Sequence, residues 1–134
     1  MIKILTTTQI RDADAYTILQ EPISSIQLME RAANAFVQQF LQDFPNTDKP
    51  IIVICGNGNN GGDGLAITRL LHENGFPVKA FLLKTQEQLS VDAERNYQKL
   101  LAFGADMVSI VEKDNYLTTI APHLIIIDAI LGTG

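Results

Sequence analysis

The apolar positions of this 134-residue chain follow two alternating patterns, which predict helices and strands in turn. Between residues 24 and 40 they step by three and four, which is the spacing of one buried helical face. Short apolar runs follow at residues 51–55, 78–83 and 124–127 and predict strands. The last run is apolar at every position, as expected for a strand of a parallel sheet that is covered on both faces.

Capping and breaking residues predict where the remaining elements begin and end. Thr6 and Gln9 form a capping-box pattern ahead of a first helix. A helix over residues 65–74 is expected to stop at Gly75, and another to begin after Ser90 and end at Gly104. A weak strand is predicted over 106–111. The alternation predicts one α/β domain over residues 1–134, a Rossmann-like three-layer αβα sandwich with a mostly parallel sheet.

Composition narrows the function classes. The net charge of -5 argues against binding to a nucleic-acid backbone, which requires a basic face. No apolar run approaches the roughly 20 residues of a membrane span. The single cysteine excludes a disulfide framework, and no secretory signal is evident, so we expect a cytoplasmic protein without membrane partners. A glycine turn over 131–134 directly after a strand leads us to expect a domain truncated on its C-terminal side.

Glycines are concentrated between the first strong strand and the helix that follows it. Five of the nine glycines lie within residues 56–64. A strand, a glycine-rich turn and a helix place backbone N–H groups against a phosphate. We expect these glycines to adopt positive φ and to leave room for a ligand. Asn59, Asn60 and Asp63 add polar side chains that packing alone does not require.

The spacing Gly56-x-Gly58-x-x-Gly61 matches the dinucleotide-binding fingerprint. That fingerprint also requires an acid at the end of the next strand to hold a ribose hydroxyl, and this strand ends in Lys84. Binding of NAD in the manner of a dehydrogenase is therefore doubtful. A Walker A loop is excluded because no Gly-Lys-Ser/Thr occurs. The alternative is a tight turn that only lets helix and strand pack closely.

Asp128 ends the last apolar run. If its strand neighbours the strand over 51–55, Asp128 faces the asparagines of the glycine run, because ligands bind at the carboxyl ends of parallel strands. A carboxylate beside amide oxygens suits a hard cation, and it can also accept a proton. The alternative is an aspartate that caps the turn after the strand.

Three blocks resemble the YjeF N-terminal domain family. The first comprises residues 56–65, followed by Arg69, Leu70 and Leu71. The second comprises residues 128–134, and the third is the pair of leading segments 9–14 and 23–32. The resemblance implies an NAD(P)HX epimerase, an isomerase that interconverts the R and S hydrates of NADH and NADPH so that a dehydratase domain or protein can restore the cofactor. The alternative within the same fold is a nucleotide-binding or protein-binding scaffold without catalysis.

The resemblance also assigns site residues. It implies that K⁺ is held by Asn60 and Asp128. Our expectation for the group that transfers a proton is Asp128, with Asp63 as second choice. A homodimer through the N-terminal helices is a further expectation, as is weak or absent turnover by the 134-residue chain alone. The residues implied to contact the hydrated nucleotide are Asn59, Asn60, Gly61, Gly62, Asp63, Gly132, Thr133 and Gly134.

Overall fold

The computed structural model describes residues 2–3, 23–112 and 124–130. The helix predicted after Thr6 and the predicted ligand contacts at Gly132, Thr133 and Gly134 lie outside these residues. The described elements, in chain order, are β1 (Ile2–Lys3), α1 (Ser25–Asp43), β2 (Ile51–Cys55), α2 (Asn59–Glu73), β3 (Val78–Lys84), α3 (Val91–Leu101), a 3₁₀ turn (Ala105–Met107), β4 (Val108–Glu112) and β5 (Ile125–Ala129).

The strands form one sheet in the order β1-β5-β2-β3-β4, and every described pair is parallel. In the centre of the sheet Ile54 of β2 pairs with Phe81 of β3 on one side and with Asp128 of β5 on the other. The predicted Rossmann-like α/β fold with a parallel sheet is confirmed.

All three described helices cover the same face of the sheet. Their buried residues form one core cluster with β-strand residues such as Val53, Ala80 and Ile127. The other face carries a second, smaller cluster built from Ile52, Ile54, Phe81 and Leu83. The strands are therefore apolar on both faces, as a parallel sheet requires. Within the described ranges, no helix is both long and apolar enough to cross a membrane.

Local hydrogen bonds explain why the helices begin and end where they do. Ser24 and Gln27 form a reciprocal capping box at the start of α1. Ser90 Oγ accepts from the Ala93 N–H at the start of α3, at 3.2 Å, as the sequence predicts. Gly75 follows α2 with a φ of 85°, a left-handed conformation that glycine adopts without steric cost.

Two predicted boundaries differ from the structure in ways that change the type of element. The weak strand expected over 106–111 begins instead as a 3₁₀ turn, and β4 starts at Val108. More importantly, α2 starts at Asn59 and not at Leu65, so most of the expected turn is helix. Glycine and asparagine have poor helix propensity, but the close packing of the glycines against β2 and β5 favours a helix here.

Candidate functional site

The order of strands places a crevice between β2 and β5. From β2 the chain moves through β3 to β4 on one side, and β5 then returns to the other side of β2. Ligands of open parallel sheets bind at such a reversal, at the carboxyl ends of the strands. The Gly56 N–H donates to the Ala129 carbonyl at 3.2 Å, which joins the two strand ends. The prediction that the strand of Asp128 neighbours the strand before the glycine run is confirmed.

At four of the five glycines in the run a Cβ would come closer than 3.0 Å to another atom, and at three of them, Gly56, Gly61 and Gly64, that atom belongs to backbone or to a short side chain. A Cβ on Gly56 would lie 2.9 Å from the Ile130 carbonyl oxygen, and one on Gly61 would lie 1.9 Å from the Gly56 carbonyl oxygen. On Gly64 it would lie 2.6 Å from Ala129 Cβ. On Gly62 it would meet the end of the Met29 side chain at 2.9 Å. Close packing, which the sequence left as the alternative, therefore explains much of the run.

Gly58 is the exception. No described atom outside its immediate neighbours lies within 4 Å of the position that a Cβ would take. Its backbone is extended, with φ -88° and ψ -165°, so a side chain would cause no strain. In the dinucleotide fingerprint the second glycine serves to let a pyrophosphate approach the backbone, and Gly58 occupies that position.

The expectation of positive φ in the run is wrong. Among the described glycines, positive φ occurs at Gly75 and Gly104. The N–H groups come instead from the start of a helix, since Gly58 is the N-cap of α2 and accepts from the Gly62 N–H at 3.0 Å. The N–H groups of Asn59, Asn60 and Gly61 precede this bond and have no partner within the helix. They point toward the same edge and carry the positive end of the helix dipole.

The polar side chains of the run differ in their surroundings. Asn59 is exposed, whereas Asp63 is buried in the second turn of α2. Asn60 is half-buried, and its Oδ1 atom is fully enclosed with no hydrogen-bond partner in the described part of the chain. An enclosed amide oxygen without a donor is costly unless a ligand, water or cation satisfies it.

Asp128 lies at the carboxyl end of β5 and is half-buried. Its neighbours Ile127 and Ala129 face the helices. Because side chains alternate along a strand, Asp128 projects from the opposite face of the sheet. Its Oδ1 accepts from the Ile130 N–H at 2.9 Å, which is the turn-capping role that the sequence left open. This bond leaves Oδ2 for another partner.

Asn57 joins the glycine run to the loop after β3, a connection that no sequence pattern predicts. Its side-chain Nδ2 donates to Glu87 Oε2 at 3.0 Å. Its carbonyl accepts from the Ser90 N–H at 2.9 Å, which brings the start of α3 beside the start of α2. No periodicity marks this pair, because both residues lie in loops. The useful signal is that an acid, Glu87, follows the strand end at Lys84 by three residues.

The donors that the described residues offer to a cation at this edge of the sheet are the amide oxygen of Asn60 and the carboxylate of Asp128. No group of three or more histidine, cysteine, aspartate or glutamate side chains within these ranges could hold a metal ion. A cation at this edge would rest on amide and carbonyl oxygens with a single carboxylate. Such a set favours a weakly charged hard cation over a transition metal.

Comparison with known proteins agrees with this geometry. A family model described as the YjeF-related protein N-terminus matches residues 25–134. This chain belongs to that family. An NAD(P)H-hydrate epimerase of Oenococcus oeni is 35% identical over 97% of this chain and 59% of its own length. A bifunctional NAD(P)H-hydrate repair enzyme of Salinibacter ruber is 35% identical over 98% of this chain and 26% of its own length.

The match extends to solved structures. The crystal structure of yeast YNL200c superposes with a TM-score of 0.71 at 29% identity, and the match covers 98% of this chain and 57% of that one. The YjeF family resemblance predicted from the glycine run and the Asp128 block is thus confirmed. The chain spans little more than half the length of the Oenococcus epimerase and of the yeast protein.

Proposed function

We propose that this chain forms the nucleotide-binding part of an NAD(P)HX epimerase, an isomerase that interconverts the R and S hydrates of NADH and NADPH. The observation that carries the proposal is Gly58. Gly56, Gly61 and Gly64 are required by packing, whereas no described atom beyond its chain neighbours lies within 4 Å of a Cβ on Gly58, at the start of α2. A pyrophosphate at that position would meet unpartnered N–H groups and the positive end of a helix. The identity to named epimerases supplies the reaction.

The residues proposed to contact the hydrated nucleotide lie at the start of α2. Asn59 is exposed there, and Asn60 and Gly61 follow within the first turn. Gly62 and Asp63 stand one turn deeper and are buried, so we assign them to shaping the site as much as to contact. The contacts expected from Gly132, Thr133 and Gly134 stay predictions.

Potassium is the proposed cofactor. The enclosed Asn60 Oδ1 has no described hydrogen-bond partner, and Asp128 retains one carboxylate oxygen beyond its bond to Ile130. These oxygen donors fit a hard cation. When bound, the ion would supply positive charge near the substrate.

Asp128 is our candidate for the proton transfer. Inverting the hydroxyl-bearing ring carbon requires a bond at that carbon to break and form again, and a carboxylate can accept and return the proton. The Ile130 N–H fixes the orientation of the Asp128 carboxylate at the sheet edge. The product would pass to a dehydratase, and the bifunctional relatives carry the repair function in one longer protein.

The test uses the parent protein at its natural length. Epimerisation of NADHX is measured with and without potassium in the wild type and in Asp128→Asn, with Asp43→Asn as a matched control at the exposed end of α1. We expect potassium-dependent activity that falls by about 100-fold or more in Asp128→Asn and not in the control. A stable wild-type protein without activity in either buffer would favour a scaffold module of the same fold.

A further inference from the structure

We propose that Glu87 binds the adenosine ribose of the substrate and selects NADHX over NADPHX. The inference rests on the proposed function, and it adds a preference between the two substrates. In dinucleotide-binding folds an acid near the end of the strand after the glycine run accepts from the ribose hydroxyls. The sequence places Lys84 at the strand end, but the folded loop brings Glu87 to the glycine run.

The position of Glu87 is fixed from two sides. Thr85 Oγ1 donates to the Glu87 carbonyl and accepts from the Glu87 N–H, both at 3.2 Å, which closes a tight loop. On the other side Asn57 Nδ2 donates to Glu87 Oε2 at 3.0 Å. Asn57 directly precedes Gly58, so this hydrogen bond ties the Glu87 carboxylate to the residue before the glycine assigned to the pyrophosphate.

One oxygen of Glu87 remains for a ligand. Oε2 accepts from Asn57, and Oε1 has no hydrogen-bond partner among the described residues. The side chain is exposed at the sheet edge, so a bound nucleotide can reach it. An oriented carboxylate with a remaining acceptor atom suits a pair of sugar hydroxyls, because ionised acids only accept hydrogen bonds.

The surrounding charges disfavour a phosphate. Lys84 is the last residue of β3, and its Nζ pairs with Glu112 Oε1 at 3.3 Å. The charges of Lys84 and Glu112 cancel, so the negative charge of Glu87 is left uncompensated by this pair. A 2′-phosphate placed there would face a like charge, which weakens binding. The ribose of NADHX bears a hydroxyl at the same position and would gain a hydrogen bond.

The test measures binding of two probes to the parent protein at its natural length, ADP-ribose and 2′-phospho-ADP-ribose, by isothermal titration calorimetry. We expect the wild type to bind ADP-ribose about tenfold more tightly. Glu87→Gln keeps an acceptor for Asn57 and removes the charge, so the ratio should fall to about threefold or less. Glu94→Gln, an exposed acid in the first turn of α3, is the matched control and should leave the ratio unchanged.

The outcomes separate this inference from the proposed function because binding is measured without turnover. An unchanged ratio in Glu87→Gln, a wild-type preference for the phosphorylated probe, or failure to bind either probe would each overturn the role of Glu87, even in an active epimerase. A ratio that depends on Glu87 in a protein without epimerase activity would support the ribose contact and refute the proposed reaction.

Discussion

The carbonyl oxygen of Gly56 lies 1.9 Å from the position that a Cβ on Gly61 would occupy. The end of β2 and the first turn of α2 therefore touch through backbone alone. Gly56 is also held on the side of β5, where its N–H donates to the Ala129 carbonyl at 3.2 Å and a Cβ would lie 2.9 Å from the Ile130 carbonyl oxygen. The strand end, the helix start and the end of β5 form one rigid junction.

We expect Gly61→Ala to lower the free energy of unfolding by at least about 3 kcal/mol, since the added methyl group meets fixed backbone. Urea unfolding followed by circular dichroism measures the change. Gly62→Ala is the control: its Cβ meets mainly the flexible end of Met29, at 2.9 Å, and should cost about 1 kcal/mol. Equal losses in the two variants would contradict the rigid junction.

Gly58→Ser is expected to separate stability from binding. Gly58 is the N-cap of α2 with extended backbone and open space beside it. Serine is a preferred N-cap residue. The variant should therefore be at least as stable as the wild type, with a gain of roughly a few tenths of a kcal/mol. Its side chain would occupy the space assigned to the pyrophosphate. Calorimetric titration with ADP-ribose should then show about tenfold weaker binding, and unchanged affinity would argue against phosphate at Gly58.

The ion pair between Arg69 and Glu30 joins α2 to α1. Arg69 is 8% exposed and also pairs with Glu73 at 3.3 Å. Burial disfavours the guanidinium charge, but the hydrogen bonds and charges of Glu30 and Glu73 outweigh it, so the pKa of Arg69 is raised. We expect Glu30→Ala to cost about 1–2 kcal/mol in urea unfolding, because it leaves a buried cation partly unpaired.

Arg69→Met is expected to cost less than Glu30→Ala. Methionine fills the buried volume without a charge, and Glu30, whose side chain is 33% exposed, can be hydrated. The two variants are compared in the same unfolding experiment. A larger loss of stability in Arg69→Met than in Glu30→Ala would show that Arg69 stabilises the fold through contacts other than its ion pair with Glu30.

Cys55 provides a pH-dependent prediction. Burial raises the pKa of its thiol well above the ordinary value of 9.0. The folded state therefore holds the proton more tightly than the unfolded state, so this contribution is complete below pH 9.0 and is lost as the pH rises above it. The loss approaches about 1.4 kcal/mol per pH unit.

The free energy of unfolding is measured from about pH 8 to about pH 10.5 for the wild type and for Cys55→Ala. The stability of the wild type should fall more steeply with pH, since lysine and tyrosine titrations are common to both proteins. The thiol should also react with a disulfide reagent only after unfolding. Parallel pH profiles would refute the shifted pKa.

Sequence patterns predicted the strands closely and the site partly. Residues 51–55 form β2 as predicted, because a buried parallel strand leaves a plain apolar run. The start of α2 was missed because tight contacts, and not propensity, make residues 59–64 helical. The Asn57–Glu87 bond was missed because its residues are 30 positions apart in two loops. The neighbouring positions of β2 and β5, by contrast, could be anticipated from the strand-end rule.

Helix α2 is buried without interruption from residue 61 to residue 71. The enclosed segment cannot fray, so the amide protons that form its helical hydrogen bonds should exchange with solvent only when the whole domain opens. The N–H groups proposed to hold the nucleotide lie at the N-terminal end of this segment and are anchored to it, although they make no helical hydrogen bond themselves. The nucleotide would meet a surface already in its bound shape, and little ordering entropy would oppose its binding.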